Sequence, residues 1–115
     1  MFKIYFISLA VLGCGLGPVR AGPAVAKHDP RIQYTAYNEN AVYRLDLYLK
    51  SVTALQFSEN ETVKSILIGD SASWEVVKLN RGNVVSIKPI EAPGTTDMTV
   101  YTDSRVYTFE MHSIG

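Results

Sequence analysis

The sequence predicts an all-β fold, a small β-sandwich of about eight short, mostly antiparallel strands that follows a cleaved signal peptide. Apolar residues recur at every second position through most of residues 30–115, which is the period of a strand with one buried face. Turn-forming residues separate these stretches about every eight to twelve residues. No window has the spacing of an amphipathic helix, so helices are not expected.

The first 26 residues have the order of a secretory signal peptide and are expected to form no part of the mature domain. Lys3 gives a short basic start, and an apolar run extends from Ile4 to Leu12. This run is short for a membrane span, which takes about 20 residues. The small residues of Ala24-Val25-Ala26 suit signal peptidase, so cleavage after Ala26 is expected first and cleavage after Ala21 second.

Lipidation of Cys14 is the alternative processing event. Val11-Leu12-Gly13-Cys14 loosely matches a lipoprotein cleavage box, although a leucine before the glycine fits that box poorly. Cys14 is the only cysteine of the chain, so a mature domain of residues 27–115 forms no disulfide. A secreted domain of this size then depends on packing or on a partner for its stability.

The charge of the mature domain excludes one class of partner. The chain has 11 basic and 11 acidic side chains, and removal of Lys3 and Arg20 leaves nine basic and 11 acidic ones, a net charge of −2. This balance lacks the excess of positive charge that attracts nucleic acid or an anionic membrane surface. Direct nucleic-acid binding is therefore not expected.

Eight stretches of the mature domain carry the two-residue period of strands. They are, in chain order, Ile32–Tyr37, Ala41–Lys50, Thr53–Phe57, Val63–Ile68, Trp74–Leu79, Val84–Ile90, Met98–Thr102 and Tyr107–His112. The alternation also predicts which side chains face the core. These are Tyr43, Leu45, Leu47, Leu49, Thr53, Leu55, Phe57, Tyr107, Phe109 and Met111.

Turn residues lie between the predicted strands. Asn80-Arg81-Gly82-Asn83 predicts a short hairpin, because Gly82 and Asn83 adopt positive φ at low cost. Thr102–Arg105 predicts a second hairpin, and Ala92–Thr96 a longer loop. Pro89 falls inside a strand pattern, which marks an edge, a strand end or a bulge.

The stretch Ile68-Gly69-Asp70-Ser71-Ala72-Ser73-Trp74 allows two interpretations. Gly-Asp-Ser after an apolar strand is how one class of serine hydrolases presents its nucleophile, which would be Ser71. That class also needs a late Asp-x-x-His, and neither His28 nor His112 has an aspartate three residues before it. The structural interpretation is a turn in which Gly69 permits a change of direction and Asp70 caps one turn before a buried Trp74.

Other chemistry finds little support in the residue types. Two distant histidines and scattered carboxylates have no metal-ligand spacing, so no catalytic, cofactor-binding or metal-binding residue is assigned. Aromatic residues are common in strands, yet the tyrosines could also form a binding face for a glycan or peptide. These are Tyr34, Tyr37, Tyr43, Tyr48, Tyr101 and Tyr107.

Several ordered blocks carry a family resemblance across residues 28–112. The blocks are Asp29-Pro30-Arg31-Ile32, Val42-Tyr43-Arg44-Leu45, Ile68-Gly69-Asp70 with Trp74-Glu75-Val76-Val77, Asn83–Pro89 and Met98–Phe109. In this order and at this spacing they resemble the TrbG/CagX type of conjugal-transfer protein, a component of the outer-membrane core complex of bacterial type IV secretion systems. One small departure is Thr96-Asp97-Met98, where the family commonly has Thr-Asn before the apolar residue.

The resemblance implies a periplasmic, non-catalytic protein that forms a ring with other copies of itself around a secretion channel. Residues 27–115 would be its N-terminal β-sandwich domain, in the inner layer of that ring. The implied partner is the inner-membrane-anchored channel protein of the TrbI type. No cofactor is implied.

Family members commonly continue through a linker into a second β domain, and this chain stops at Gly115, where that linker would start. The chain is thus expected to be either a truncated member or the first half of one. A small lipoprotein is an expected partner only if a C-terminal domain exists. The free-standing binding module with the tyrosine face and the serine hydrolase with Ser71 remain the alternatives.

The sequence also predicts how the domain behaves alone. Well-alternated strands and a net charge of −2 leave little apolar surface outside the core, so residues 27–115 are expected to be monomeric or weakly associating. Binding to the channel protein is expected to be weak and salt-sensitive, because the exposed faces carry charges rather than apolar anchors. These charges are Arg44, Asp46, Lys50, Lys64 and Glu110.

Processing provides the first test. In the exported protein we expect an N-terminus at Lys27, or at Gly22 if the second site is used, because the small residues before these positions fit signal peptidase. Intact-mass measurement of the purified product checks this expectation. A lipid-modified product that begins at Cys14 would contradict it and make the protein a lipoprotein.

Overall fold

A computed structural model of the chain describes residues 2–8 and 30–115. All the regular elements among them are strands, as the sequence predicted. The nine strands, in chain order, are β1 Phe2–Ser8, β2 Ile32–Thr35, β3 Val42–Tyr48, β4 Ser51–Gln56, β5 Val63–Ile68, β6 Trp74–Lys78, β7 Val84–Pro89, β8 Gly94–Thr102 and β9 Val106–Ile114. Within these two ranges no helix is long and apolar enough to cross a bilayer.

The strands form two sheets that pack face to face as a sandwich. The five-stranded sheet has the order β2-β1-β4-β7-β6, and its neighbours are all antiparallel. The four-stranded sheet has the order β3-β9-β8-β5, in which β3 and β9 are parallel and the other pairs antiparallel. The predicted small, mostly antiparallel β-sandwich is therefore confirmed.

Strand β1 is the main difference from the sequence-based expectation. Residues 1–26 were expected to lie outside the fold, but Phe2–Ser8 pairs with β2 on one side and with β4 on the other. The physical reason is that Phe2 and Ile4 flank Lys3 with the two-residue period of a strand, so the same apolar segment suits a leader and a sheet. Cleavage is a processing step and stays a prediction. Cys14, Ala21, Ala26 and His28 lie outside the described residues.

The core lies between the sheets and follows the predicted alternation. Leu45 and Leu47 of β3 are buried, while Arg44 and Tyr48 of the same strand are exposed. The predicted core residues of the other long alternating strands are buried as well: Thr53, Leu55, Phe57, Tyr107, Phe109 and Met111. Tyr43 is half-buried and packs against this core, whereas Leu49, predicted to face it, is half-buried just beyond the end of β3. Apolar burial at these positions is the main force that holds the two sheets together.

Aromatic rings fill one part of this core and connect the sheets. Phe57 of the β4–β5 connection packs on Tyr107 of β9, with ring centroids 4.5 Å apart. The ring of Phe2 lies edge-on to Tyr107 and to Tyr43, at centroid distances of 5.1 Å in both cases. Edge-to-face pairs at such distances add to the stabilisation from area burial alone.

The turns largely match the sequence. Gly82 has a φ of +87° in the β6–β7 hairpin, whereas Asn83 does not need positive φ. Asn83 is buried instead, and its Nδ2 donates to the Phe57 carbonyl at 3.0 Å. Pro89 is the last residue of β7, which confirms a strand end. The loop expected over Ala92–Thr96 is shorter, because β8 already begins at Gly94.

Gly69 ends β5 for a reason that differs from the predicted one. Its N–H donates to the Asp97 carbonyl at 3.0 Å, and an added Cβ would lie 2.7 Å from both Thr96 Oγ1 and Asp97 Oδ1. The position therefore needs glycine for close approach to β8. The chain then turns over Asp70–Ser73, where the Ser73 N–H lies 3.4 Å from the Asp70 carbonyl. This turn leads directly into Trp74, which is buried.

Trp74 is thus a core residue at the start of β6, and its truncation is expected to be costly. Trp74→Ala should lower the free energy of unfolding by roughly 3–5 kcal/mol, because it leaves a large cavity. Val77→Ala on the exposed side of the same strand is the control and should change stability by less than about 0.5 kcal/mol. Urea unfolding measures both. Equal effects of the two substitutions would contradict a core position for Trp74.

Candidate functional site

Ser71, the candidate nucleophile, has no catalytic surroundings in the structure. It lies exposed in the β5–β6 turn, and no hydrogen bond joins its side chain to another described residue. His112 lies on β9, where its Nδ1 is 3.2 Å from Thr95 Oγ1 and its Nε2 is 2.5 Å from Glu110 Oε2. A serine nucleophile needs a base within hydrogen-bond reach, so the described residues do not assemble a Ser–His pair.

Metal and small-molecule sites have no better support in the described ranges. No group of three or more His, Cys, Asp or Glu side chains there could hold a metal ion. A cleft of about 710 Å³ opens beside Arg44, Asp46 and Tyr48. Arg31 also lines this cleft, and the charges of Arg44 and Asp46 are paired with each other, since Arg44 Nε donates to Asp46 Oδ1 at 3.0 Å.

The six tyrosines do not form one face. Tyr107 is fully buried, and Tyr37 and Tyr43 pack against the core. The three exposed tyrosines are divided between the sheets, with Tyr34 on β2 and the pair Tyr48 and Tyr101 on β3 and β8. The structure therefore does not bring together the tyrosine-rich binding face that the sequence allowed.

Glu61 is a buried carboxylate that the sequence analysis did not single out. The Tyr107 hydroxyl donates to it, with the oxygen 2.7 Å from Oε1 and 2.9 Å from Oε2. Thr102 Oγ1 donates to Oε2 at 2.8 Å, and the Ser58 N–H donates to Oε1 at 3.2 Å. A buried carboxylate is tolerated only with such partners. Glu61 thereby fastens the β4–β5 loop to the β8–β9 hairpin.

Arg105 completes this polar cluster at the end of the sandwich. Its guanidinium lies 4.7 Å from the centroid of the Tyr37 ring, which is cation–π geometry. Burial raises the pKa of the Tyr107 hydroxyl; the nearby Arg105 guanidinium opposes this shift, and Glu61 adds to it. Tyr107 therefore keeps its proton for the hydrogen bond to Glu61 well into the alkaline range.

The sequence contains a local pattern for only one contact of this cluster, the one between Ser58 and Glu61. Ser58-x-x-Glu61 has the spacing at which a glutamate accepts from a backbone N–H three residues earlier, as in a capping box. Nothing local pointed to Tyr107, which is 46 residues away in the chain. The cluster is structural, because the hydrogen bonds to the Glu61 carboxylate come from groups within the fold. Among the described residues, Arg105 Nη1 is the buried side-chain nitrogen that has no hydrogen-bond partner.

The outer face of the four-stranded sheet has an apolar end, formed by Val42, Leu67, Tyr101 and Val106. The strand register places them together. Tyr101 pairs directly with Val106, Val42 pairs with Thr108, which is two residues from Val106 on β9, and Leu67 pairs with Thr99, which is two residues from Tyr101 on β8. Between 40% and 61% of each of these four side chains is exposed. The expectation that the exposed faces lack apolar anchors is therefore wrong for this face. Contiguous exposed apolar residues commonly mark interaction sites.

Three of the charged residues expected on the same face lie against polar partners. Arg44 pairs with Asp46, and Glu110 lies against His112. Both pairs are in the half of the sheet beyond the apolar end, in register with Asp97 and Thr95 of β8. Exposed pairs of this kind contribute about 0–1 kcal/mol to stability, so they matter more for the specificity of a contact than for its affinity.

The Glu61 cluster predicts a measurable difference between two tyrosines. Tyr107→Phe should lower the free energy of unfolding by about 1–3 kcal/mol, because it removes a donor from a buried carboxylate. Tyr101→Phe removes a hydroxyl from an exposed side chain and should change it by less than about 0.5 kcal/mol. Chemical denaturation of both variants checks this. A neutral Tyr107→Phe would contradict the role of the hydrogen bond.

Comparison with known proteins identifies the relatives of this fold. The family described as CagX, conjugal transfer protein, matches residues 30–115. The type IV secretion system protein virB9 of Bartonella henselae is 28% identical, over 96% of this chain and 41% of the relative. The corresponding protein of Bartonella quintana is 30% identical over 95% and 40%, and protein virB9 of Agrobacterium fabrum is 31% identical over 98% and 40%.

The chain thus spans about two fifths of the length of these curated relatives. The family match covers every strand from β2 to β9, which form both sheets of the sandwich apart from β1. It also confirms the resemblance that the ordered sequence blocks indicated. The chain belongs to the CagX family of conjugal transfer proteins.

Proposed function

We propose that this chain is the N-terminal β-sandwich domain of a structural, non-catalytic component of a type IV secretion channel in the periplasm. The single observation that carries the proposal is the coincidence of the family match with the eight strands β2 to β9. The relatives that are similar to the chain are named as type IV secretion system proteins. A secretory leader over residues 1–26, cleaved after Ala26, would deliver the domain to the periplasm.

The domain works through its surfaces. Its buried Glu61 carboxylate accepts four hydrogen bonds from within the fold, and its candidate nucleophile Ser71 has no base among the described residues. The apolar end of the outer face of the four-stranded sheet is the surface best suited to a protein contact. Apolar and aromatic side chains such as Tyr101 are the typical centre of an interface, with charged residues at its rim.

The partners we propose are other copies of the chain in a ring, as part of its inner layer, and the TrbI-type inner-membrane-anchored channel protein. A specific interface buries about 800 Å² on each partner. The apolar end and the adjoining charged half of the same sheet together provide one continuous face for such a contact. A small lipoprotein is a partner only if a C-terminal domain follows this one.

A transfer assay tests the function. In a bacterium whose secretion system includes this protein, we expect deletion of residues 30–115 from the gene to abolish transfer of the DNA or protein cargo. Ser71→Ala should restore wild-type transfer, because the proposal gives this serine no chemical role. Val42→Asp with Tyr101→Asp should lower transfer about tenfold or more, since charges then replace the apolar centre of the contact.

The matched control is Val77→Asp, which places the same charge at an exposed position of the five-stranded sheet and should leave transfer unchanged. Transfer that survives deletion of the domain would contradict the proposed function. Transfer that is lost with Ser71→Ala, in a variant that accumulates normally, would instead support the hydrolase.

A further inference from the structure

The five-stranded sheet is continuous only through β1. Strand β2 pairs with β1 and with no other strand among the described residues, while β1 itself pairs with β4 on its far side. Phe2 is in register with Thr35 of β2, and Lys3 is in register with Tyr34 on one side and with Gln56 of β4 on the other. If β1 is taken away, β2 and β4 each keep a row of backbone N–H and C=O groups that face an empty strand position.

The side chains of β1 also enter the core at this position. Phe2 and Ile4 are 1% and 4% exposed. The Phe2 ring packs against Phe57 of the β4–β5 connection and Phe109 of β9, at centroid distances of 5.8 Å and 6.1 Å. Lys3 points to the opposite face, where its Nζ lies 5.4 Å from the centroid of the Tyr34 ring. The position thus accepts apolar side chains alternately with a polar one.

The walls of this position are held by contacts that do not involve β1. Strand β4 is paired with β7 on its other side. The segment after β2 is tied to the four-stranded sheet, where the Tyr37 hydroxyl donates to the Val106 carbonyl at 3.2 Å and the Asn38 N–H donates to the Tyr43 hydroxyl at 2.6 Å. Strand β4 and the chain segment that follows β2 would therefore stay in place without β1.

The family match does not include β1, although the alignments with the virB9 relatives cover 95% to 98% of the chain. It begins at residue 30 and includes the other eight strands, so the segment that fills the position lies outside the family domain and inside the proposed leader. Signal peptidase would remove exactly the residues that complete the sheet. The inference below rests on this cleavage, which is part of the proposed function.

We propose that the position of β1 is a strand-accepting site, filled in the processed protein by an extended segment of a partner polypeptide. The segment would run antiparallel to β2 and β4, with an aromatic residue at the place of Phe2, an aliphatic one at the place of Ile4 and a polar residue between them. Strand addition to open sheet edges gains affinity from backbone hydrogen bonds and specificity from the pockets for alternate side chains.

A second processed copy is a poorer occupant, because it has lost the same alternating segment and its remaining strands already have places in the two sheets. Direct closure of β2 onto β4 would leave the aromatic rings around Phe2 without the side chain that fills the space between them, which is costly in a core. A partner strand satisfies both the backbone groups and this cavity.

The test uses the exported, purified protein and a fluorescent peptide with the sequence of Phe2–Ser8 and a solubilising lysine tail. We expect saturable one-to-one binding by fluorescence anisotropy. The control peptide carries Phe2→Asp and Ile4→Asp and should bind about tenfold or more weakly, because it places charges in the core positions. Full-length chain kept in the cytoplasm with its leader should also bind the first peptide about tenfold or more weakly, since its own β1 fills the site.

The intact mass of the exported product distinguishes a failure of the proposed processing from a failure of the strand-accepting site alone. A product that retains residues 1–26 overturns both the proposed processing and this inference. A product that begins at Lys27 and does not bind the peptide, or binds both peptides equally, overturns only the strand-accepting site. A processed product that is unfolded alone by circular dichroism and folds when the first peptide is added supports the site, and one that stays unfolded overturns it.

Discussion

A strand between β2 and β4 is the constraint on which the rest of the sandwich depends. It supplies hydrogen bonds to both neighbours, and through Phe2 it places a ring of the five-stranded sheet against aromatic side chains of the four-stranded sheet. Without it the five-stranded sheet divides into a single strand and a three-stranded remainder. Because backbone polar groups and a cavity would be exposed together, the fold requires that some extended apolar segment occupy this place.

Next to the aromatic rings around Phe2, the core is also held by hydrogen bonds to the buried Glu61 carboxylate. Glu61 gathers the Tyr107 hydroxyl, the Thr102 hydroxyl and the Ser58 N–H around one carboxylate. These groups come from segments far apart in the chain, so the carboxylate fixes how the β4–β5 loop meets the β8–β9 hairpin. Tyr107 takes part in both the ring packing and the hydrogen bonding, since its ring packs on Phe57 while its hydroxyl bonds to Glu61.

The Gly-Asp-Ser stretch illustrates how a short motif can satisfy a catalytic pattern for structural reasons. Glycine suits position 69 because a Cβ there would lie 2.7 Å from side-chain oxygens of Thr96 and Asp97 on β8, and the residues after it turn the chain into buried Trp74. The same three residue types in a hydrolase would need a base nearby. His112 is instead engaged with Thr95 and Glu110 on the outer face of the four-stranded sheet.

Two surfaces of the domain are available for partners in the proposed function. The apolar end around Val42 and Tyr101 and the strand position occupied by β1 lie on different sheets, so two partners could bind at once. A domain that contributes to a ring and to a channel contact needs at least two such surfaces. The apolar end would bind through the face of a sheet, and the β1 position would bind through the strand edges of β2 and β4.

The sequence by itself determined the fold class, the family and the positions of eight strands to within a few residues, because a side-chain period of two is a local property of the chain. Val63–Ile68 has the predicted bounds, and the predicted buried alternation of Leu45 with Leu47 and of Tyr107 with Phe109 is confirmed. The sequence also showed that Ser71 lacks a suitably spaced histidine. It missed β1, because an apolar run with this alternation suits both a leader and a strand.

Only the tertiary structure decided which sheet each strand joins and that β3 and β9 are parallel. Only the tertiary structure shows that the tyrosines are dispersed and that Glu61 lies against Tyr107. It also shows that Asp97 lies against Gly69 and that the apolar end of the outer face comes from four strands. Each of these features joins residues that are far apart in the chain. Local periodicity tells which side of its own strand a residue occupies, but the neighbour across the sheet is set by how all the strands pack together.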